Sequence, residues 1–109
     1  MNCNIQKITV SKDKVEKYNA LMQADHVDYE KNKIPRYSTI ESWTADFGGD
    51  IQMDVKVCSS TDGDPLWCEG VLFRHGSECG CTDVYDILDG TFQLDYEGDS
   101  YCVEIVKSA

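Results

Sequence analysis

What this sequence lacks already excludes several classes of protein. No apolar run approaches the roughly 20 residues that a membrane-spanning helix requires, and the opening stretch MNCNIQKITV is too short and too polar to read as a secretory signal. The expectation is therefore a cytoplasmic protein without a membrane partner. Also missing are CxxC, HExxH, a Walker loop, GxGxxG and a nucleophile elbow, which removes the common sequence signatures of zinc hydrolases, nucleotide binders and serine esterases. Of the two histidines, His26 lies in ADHVDYE and His75 in RHGSE, and neither stands in a recognisable arrangement with a serine or cysteine nucleophile. The sequence reads as non-enzymatic, and no cofactor is expected. With no linker, repeat or low-complexity segment, residues 1–109 form one domain of ordinary size.

Positive charge is scarce, and its distribution is uneven. Residues 1–36 carry seven basic and five acidic side chains, a balance of +2, whereas residues 37–109 carry three basic side chains (Lys56, Arg74 and Lys107) against fifteen acids, a balance of −12. The sum is the net charge of −10. A field of that sign disfavours direct binding to nucleic acid or an anionic membrane and favours basic protein surfaces.

The apolar residues that are present sort the chain into elements. NIQKITV alternates as a short strand, and Ser11 is placed to cap a helix whose apolar face is Val15, Tyr18, Leu21 and Met22. Pro35 disfavours helix at Ile34. From Arg36 onward the period changes to two. Trp43, Ala45 and Phe47 share one face; Met53, Val55 and Val57 follow after a Gly48–Asp50 turn; and Val71, Leu72 and Phe73 mark the most central strand. Phe92, Leu94 and Tyr96, then Tyr101, Val103 and Ile105, close the pattern. The expected fold is α+β: an N-terminal helix packed on an antiparallel meander of about five or six strands, either two-layered or curled into a partial barrel.

The sequence has six cysteines, an even number that would suggest three disulfides in a secreted protein; without an export signal, reduced thiols are the default. Cys79 and Cys81 are one residue apart, which in a regular strand puts both thiols on one face, and Cys58 or Cys102 could complete a zinc site from neighbouring strands. This alternative is a structural zinc or small-ligand module built on Cys58, Cys79, Cys81 and Cys102. Calcium loops are not matched by Asp62 and Asp64, or by Asp83, Asp86 and Asp89. These aspartates read instead as charged turn residues, the last three spaced so that one turn presents them together. On a sheet with an apolar inner face, the acids of residues 37–109 crowd the outer face and loop ends, where their charge and spacing approach those of a phosphate backbone.

The strand DVKVC (Asp54–Cys58), the strand VLF (Val71–Phe73) and the closing hairpin with Tyr96 and Tyr101 resemble small uncharacterised acidic proteins carried by bacterial phages and mobile elements. The resemblance spans residues 43–106 and implies a setting inside a bacterial host cell. There it implies a counter-defence factor of the anti-CRISPR or anti-restriction kind. Charge and resemblance together lead to the expectation of an inhibitor that docks on the basic nucleic-acid groove of a CRISPR effector or another defence nuclease. The expected contact residues are Asp54, Glu69, Asp83, Asp86 and Asp89, with Asp95 and Glu97 next. An unpaired strand edge leaves room for a homodimer.

Overall fold

The computed structural model describes residues 3–84, 88 and 90–109. Seven strands and one helix follow in the order β1 (Cys3–Ser11), α1 (Lys12–Gln23), β2 (Thr39–Gly48), β3 (Ile51–Cys58), β4 (Trp67–Arg74), β5 (Ser77–Val84), β6 (Thr91–Tyr96) and β7 (Asp99–Ser108). The class is α+β, as expected, but the arrangement differs in two respects. The helix is not N-terminal, because β1 precedes it and pairs in parallel with β7, Ile8 opposite Ile105. The six strands after the helix do not form one meander either. β2-β3-β4-β5 make a four-stranded antiparallel sheet, while β6 and β7 pair with each other and join β1 in a three-stranded sheet of order β1-β7-β6.

Both departures have one cause. A sheet with one apolar face has to cover it, and the single short helix is too small for six strands. The two sheets therefore cover each other. Phe47 of β2 meets Tyr101 of β7 edge to face, with centroids 5.2 Å apart, and Phe92 of β6 lies under β4. Gly70 leaves room for this contact: a Cβ there would stand 3.1 Å from the Met53 sulfur and 3.2 Å from the Phe92 ring. β1 runs beside β2, and β5 beside β6, without ladder pairing at either seam. The result is a flattened barrel. The core between its layers includes Ile8, Val10, Met53, Val55, Val57, Leu72, Phe92 and Val103.

The helix closes onto this core with Val15, Tyr18 and Met22, all buried. Ser11 caps it by accepting a hydrogen bond from the Lys14 amide at 3.4 Å. Its Tyr18 ring stands edge-on to Trp43 at 6.5 Å. The segment after the helix also contributes to the core: Val27 bridges to Gly63, and buried Tyr29 donates its hydroxyl to the Asp64 carbonyl at 2.6 Å. Among the described residues, no helix is long and apolar enough to cross a membrane.

Three hairpins share one turn design. The pairs Gly49-Asp50, His75-Gly76 and Glu97-Gly98 each stand between register partners, and both residues of each pair have φ between 50° and 84°. Positive φ at both central positions defines the type I′ turn, whose twist matches that of the strands it joins. The β2–β3 and β4–β5 turns lie at the same end and are tied together, with the His75 amide donating to the Asp50 carbonyl at 2.9 Å.

Candidate functional site

Strand alternation turns Met53, Val55 and Val57 inward, so Gln52, Asp54, Lys56 and Cys58 face out from the four-stranded sheet. The ladder register then lines up rows on that outer face. One row is Ser42, Lys56, Glu69 and Asp83; the next is Thr44, Asp54, Val71 and Cys81; a third is Asp46, Gln52, Phe73 and Glu78. Of the residues expected at a contact surface, Asp54, Glu69 and Asp83 come together here, flanked by Asp46 and Glu78. Asp95 lies on the other sheet, where it accepts from the Ser100 hydroxyl at 2.6 Å. Glu97 sits in the β6–β7 turn and pairs with Arg74, whose guanidinium also lies over the Tyr96 ring. Asp86 and Asp89 fall outside the described residues.

Glu69 and Asp83 are direct register partners on β4 and β5. Like charges placed opposite each other on neighbouring strands destabilise a sheet. Among the described residues, ion pairs join Lys12 to Glu16, Lys14 to Glu41, Arg36 to Asp62, Arg74 to Glu97 and His75 to Asp50. None of them uses Asp46, Asp54, Glu69, Glu78 or Asp83. What these acids do accept is neutral: Asp54 takes hydrogen bonds from the Thr44 hydroxyl at 2.9 Å and the Gln52 amide at 3.2 Å, and Asp46 takes the Gly48 amide at 2.8 Å. Among the described residues these acids form no ion pair, and Lys56, opposite Glu69, is the one basic side chain in their rows, so the face is net negative.

The four thiols of the expected metal site, Cys58, Cys79, Cys81 and Cys102, do not converge. Cys58 is buried on the outer face and donates to Glu69 at 3.2 Å; burial first, then that hydrogen bond and charge, push its thiol up to about 12. Cys68 points into the core, and burial pushes it up to about 12 as well. Both are held as protonated, poorly nucleophilic groups. Cys79 and Cys81 do not share a face. The ladder slips between Leu72 and Phe73, whose partners are Gly80 and Glu78, so Cys79 is the extra residue of a β-bulge. It packs against the core, with its thiol 3.5 Å from the Leu72 carbonyl, while Cys81 is exposed. Cys102 lies on β7 in the other sheet. Among the described residues, no group of three or more His, Cys, Asp and Glu side chains is placed to hold a metal ion.

The exposed histidines stand away from these acids. His75 Nδ1 lies 3.2 Å from Asp50 across the two tied turns, and the His26 ring rests against Gly63. Asp62, in the same loop as Gly63, accepts from the Tyr29 amide at 3.0 Å. That bond, with help from the Arg36 guanidinium, holds its carboxyl below the usual aspartate value. These contacts brace the loop, a role that its polar composition alone does not reveal. Comparison with protein-family models, with curated proteins and with solved structures returned no match.

Proposed function

We propose that this protein is a non-enzymatic, acidic interaction protein that binds the basic nucleic-acid groove of a larger partner by charge mimicry. The partner class is a CRISPR effector or another defence nuclease of a bacterial host, and the protein acts as its inhibitor. The observation that supports this reading is the outer face of the four-stranded sheet, where Glu69 and Asp83 stand opposite each other beside Asp54. None of the three forms an ion pair among the described residues, and Lys56, opposite Glu69, is the one basic side chain in their rows. A juxtaposition that costs the fold stability is accounted for when a cationic groove supplies the missing charge on binding. Lys and Arg side chains that hold a phosphate backbone would exchange their counterions for these carboxylates, so affinity would fall steeply with salt.

The test is a pull-down from host lysate at low ionic strength, eluted with rising salt, followed by measurement of DNA or RNA binding by the captured partner. The expected result is a basic nucleic-acid-binding protein that elutes with salt and loses nucleic-acid binding in the presence of this chain. The variant carrying Asp54→Asn, Glu69→Gln and Asp83→Asn should bind roughly ten-fold more weakly while melting no lower than the parent. Retention that is insensitive to salt, or a triple variant that binds as well as the parent, would sink the proposal.

A further inference from the structure

The outer face of the three-stranded sheet carries two thiols in contact. Odd-numbered residues of β1 and even-numbered residues of β7 point away from the core, and on that face Cys3 Sγ lies 3.9 Å from Cys102 Sγ, across 99 positions of sequence. Cys3 is exposed and Cys102 buried. Cys102 stands opposite the half-exposed Ile5 in the ladder, and Cys3 stands opposite Ser100, so the two cysteines are diagonal neighbours on parallel strands. The other described thiols are placed differently: Cys58 is bound to Glu69, Cys68 lies in the core, Cys79 is turned toward the Leu72 carbonyl, and Cys81 sits alone on the far sheet.

We propose that Cys3 and Cys102 form a reversible dithiol–disulfide site that reacts with a low-molecular-weight disulfide, Cys3 attacking and Cys102 resolving. In the first step the Cys3 thiolate attacks one sulfur of the small disulfide RSSR. A Cys3–SR bond forms, the S–S bond breaks, and one RS⁻ leaves. In the second step the Cys102 thiolate attacks Cys3 Sγ and expels the second RS⁻. Two protein thiols and RSSR become one Cys3–Cys102 disulfide and two RSH; the protons lost by the cysteines are taken up by the leaving thiolates. Electrons pass from the two protein sulfurs to the small disulfide.

The order of attack follows from access, because of the two residues Cys3 is exposed and Cys102 buried. Burial raises the Cys102 thiol above its ordinary value, and its hydrogen bond to Cys3, with the charges of Asp95 and Glu104, adds to that. Cys102 is therefore the slower thiol to ionise and suits the intramolecular step.

The diagonal placement also sets the character of the bond. Diagonal neighbours in a sheet stand about 7–8 Å apart at Cα, beyond the roughly 7 Å that a disulfide spans without backbone movement. Closing the sulfurs from 3.9 Å to bonding distance has to draw the first residues of β1 along β7. The cost falls on Cys3 and its neighbours Asn4 and Ile5, which lie outside the core. A bridge strained in this way is readily reduced, which is the behaviour of a labile disulfide rather than a structural one.

The experiment is to incubate the fully reduced chain with glutathione disulfide, quench with acid, and map disulfides by mass spectrometry of the digested protein. The expected product links the Cys3 and Cys102 peptides within one chain, and millimolar reduced glutathione reverses it. Cys102→Ser should stop the reaction at a Cys3–glutathione adduct, whereas Cys81→Ser should leave the bridge intact. Circular dichroism of each variant checks that it is folded. A parent chain that halts at the Cys3–glutathione adduct, or one whose bridge resists millimolar glutathione, overturns the proposal.

Discussion

The two sheets bury similar inner faces but present different outer ones. The four-stranded sheet turns out Asp46, Asp54, Glu69, Glu78 and Asp83 around a single lysine, Lys56. The three-stranded sheet turns out Cys3, Ile5, Cys102 and Val106, with Lys7 in line with Glu104. Ile5 is 52% exposed and Val106 39%. The inner faces answer to packing, which both sheets must satisfy together; the outer faces are free to differ. The denser acidic face thus lies on one side of the barrel, and the contacting thiol pair with the exposed aliphatic surface on the other. A ligand that reads charge and a reagent that needs two adjacent thiols would address opposite sides of the same small domain.

The largest effect should come from removing the contact that joins the sheets. Phe92 is fully buried on β6 beneath β4, so Phe92→Ala should cost about 3–5 kcal/mol in urea unfolding. The parent should unfold in one transition, and two separated transitions would mean that the sheets are independent. Gly70→Ala attacks the same place from the other side. The added methyl group presses on Met53 and Phe92, and the loss should be about 1–3 kcal/mol.

Glu41 gives a smaller effect, and it depends on pH. Burial by itself would raise its carboxyl, but hydrogen bonds from Lys14 at 2.8 Å and Tyr18 at 2.6 Å outweigh it and hold the group below 4.5. A carboxylate depressed in the folded state contributes stability that is fully present above its unfolded value and lost as pH falls through the folded one. Glu41→Gln should therefore cost on the order of 1 kcal/mol at neutral pH, and the difference from the parent should vanish in acid. The smallest change belongs to the acidic face. Glu69→Gln or Asp83→Asn should shift stability by no more than about 0.5 kcal/mol, toward greater stability, because each relieves a like-charge pair. A clear loss in thermal melts would mean that these acids serve the fold rather than a partner.

Much of the architecture was legible because alternation is a local signal. Ala45, Met53, Val55, Val57, Phe92, Tyr101, Val103 and Ile105 all point inward as their spacing requires, and Ser11 caps the helix where its position suggests. What alternation cannot carry is which strand lies beside which. The parallel match of β1 with β7 and the break between β5 and β6 are decided by how two half-apolar sheets cover one another, a property of the whole chain. The same limit applied to the candidate site. Period two placed Asp54 and Glu69 outward, but only the register set Glu69 against Asp83 and put Asp95 on the opposite sheet. The Cys79–Cys81 pair misled for a definable reason, since one extra residue in a bulge reverses the direction of a side chain. Tyr29 gave no periodic signal, because its partners Ser60, Asp62 and Asp64 lie more than thirty residues away.

The parallel ladder between β1 and β7 also bears on how the chain assembles. The β2–β3, β4–β5 and β6–β7 hairpins are each closed by two-residue turns, so their contacts are near in sequence and cheap in loop entropy. Cys3 and Ser100, by contrast, must meet across almost the entire chain. Contacts of such long range slow folding, and this ladder gains its full stabilisation only once the sheets between its two strands are in place. β1 is therefore the strand placed to dock last and detach first. Its first residue, Cys3, carries one of the two contacting sulfurs, so a bond made there would act on the rate at which the barrel opens.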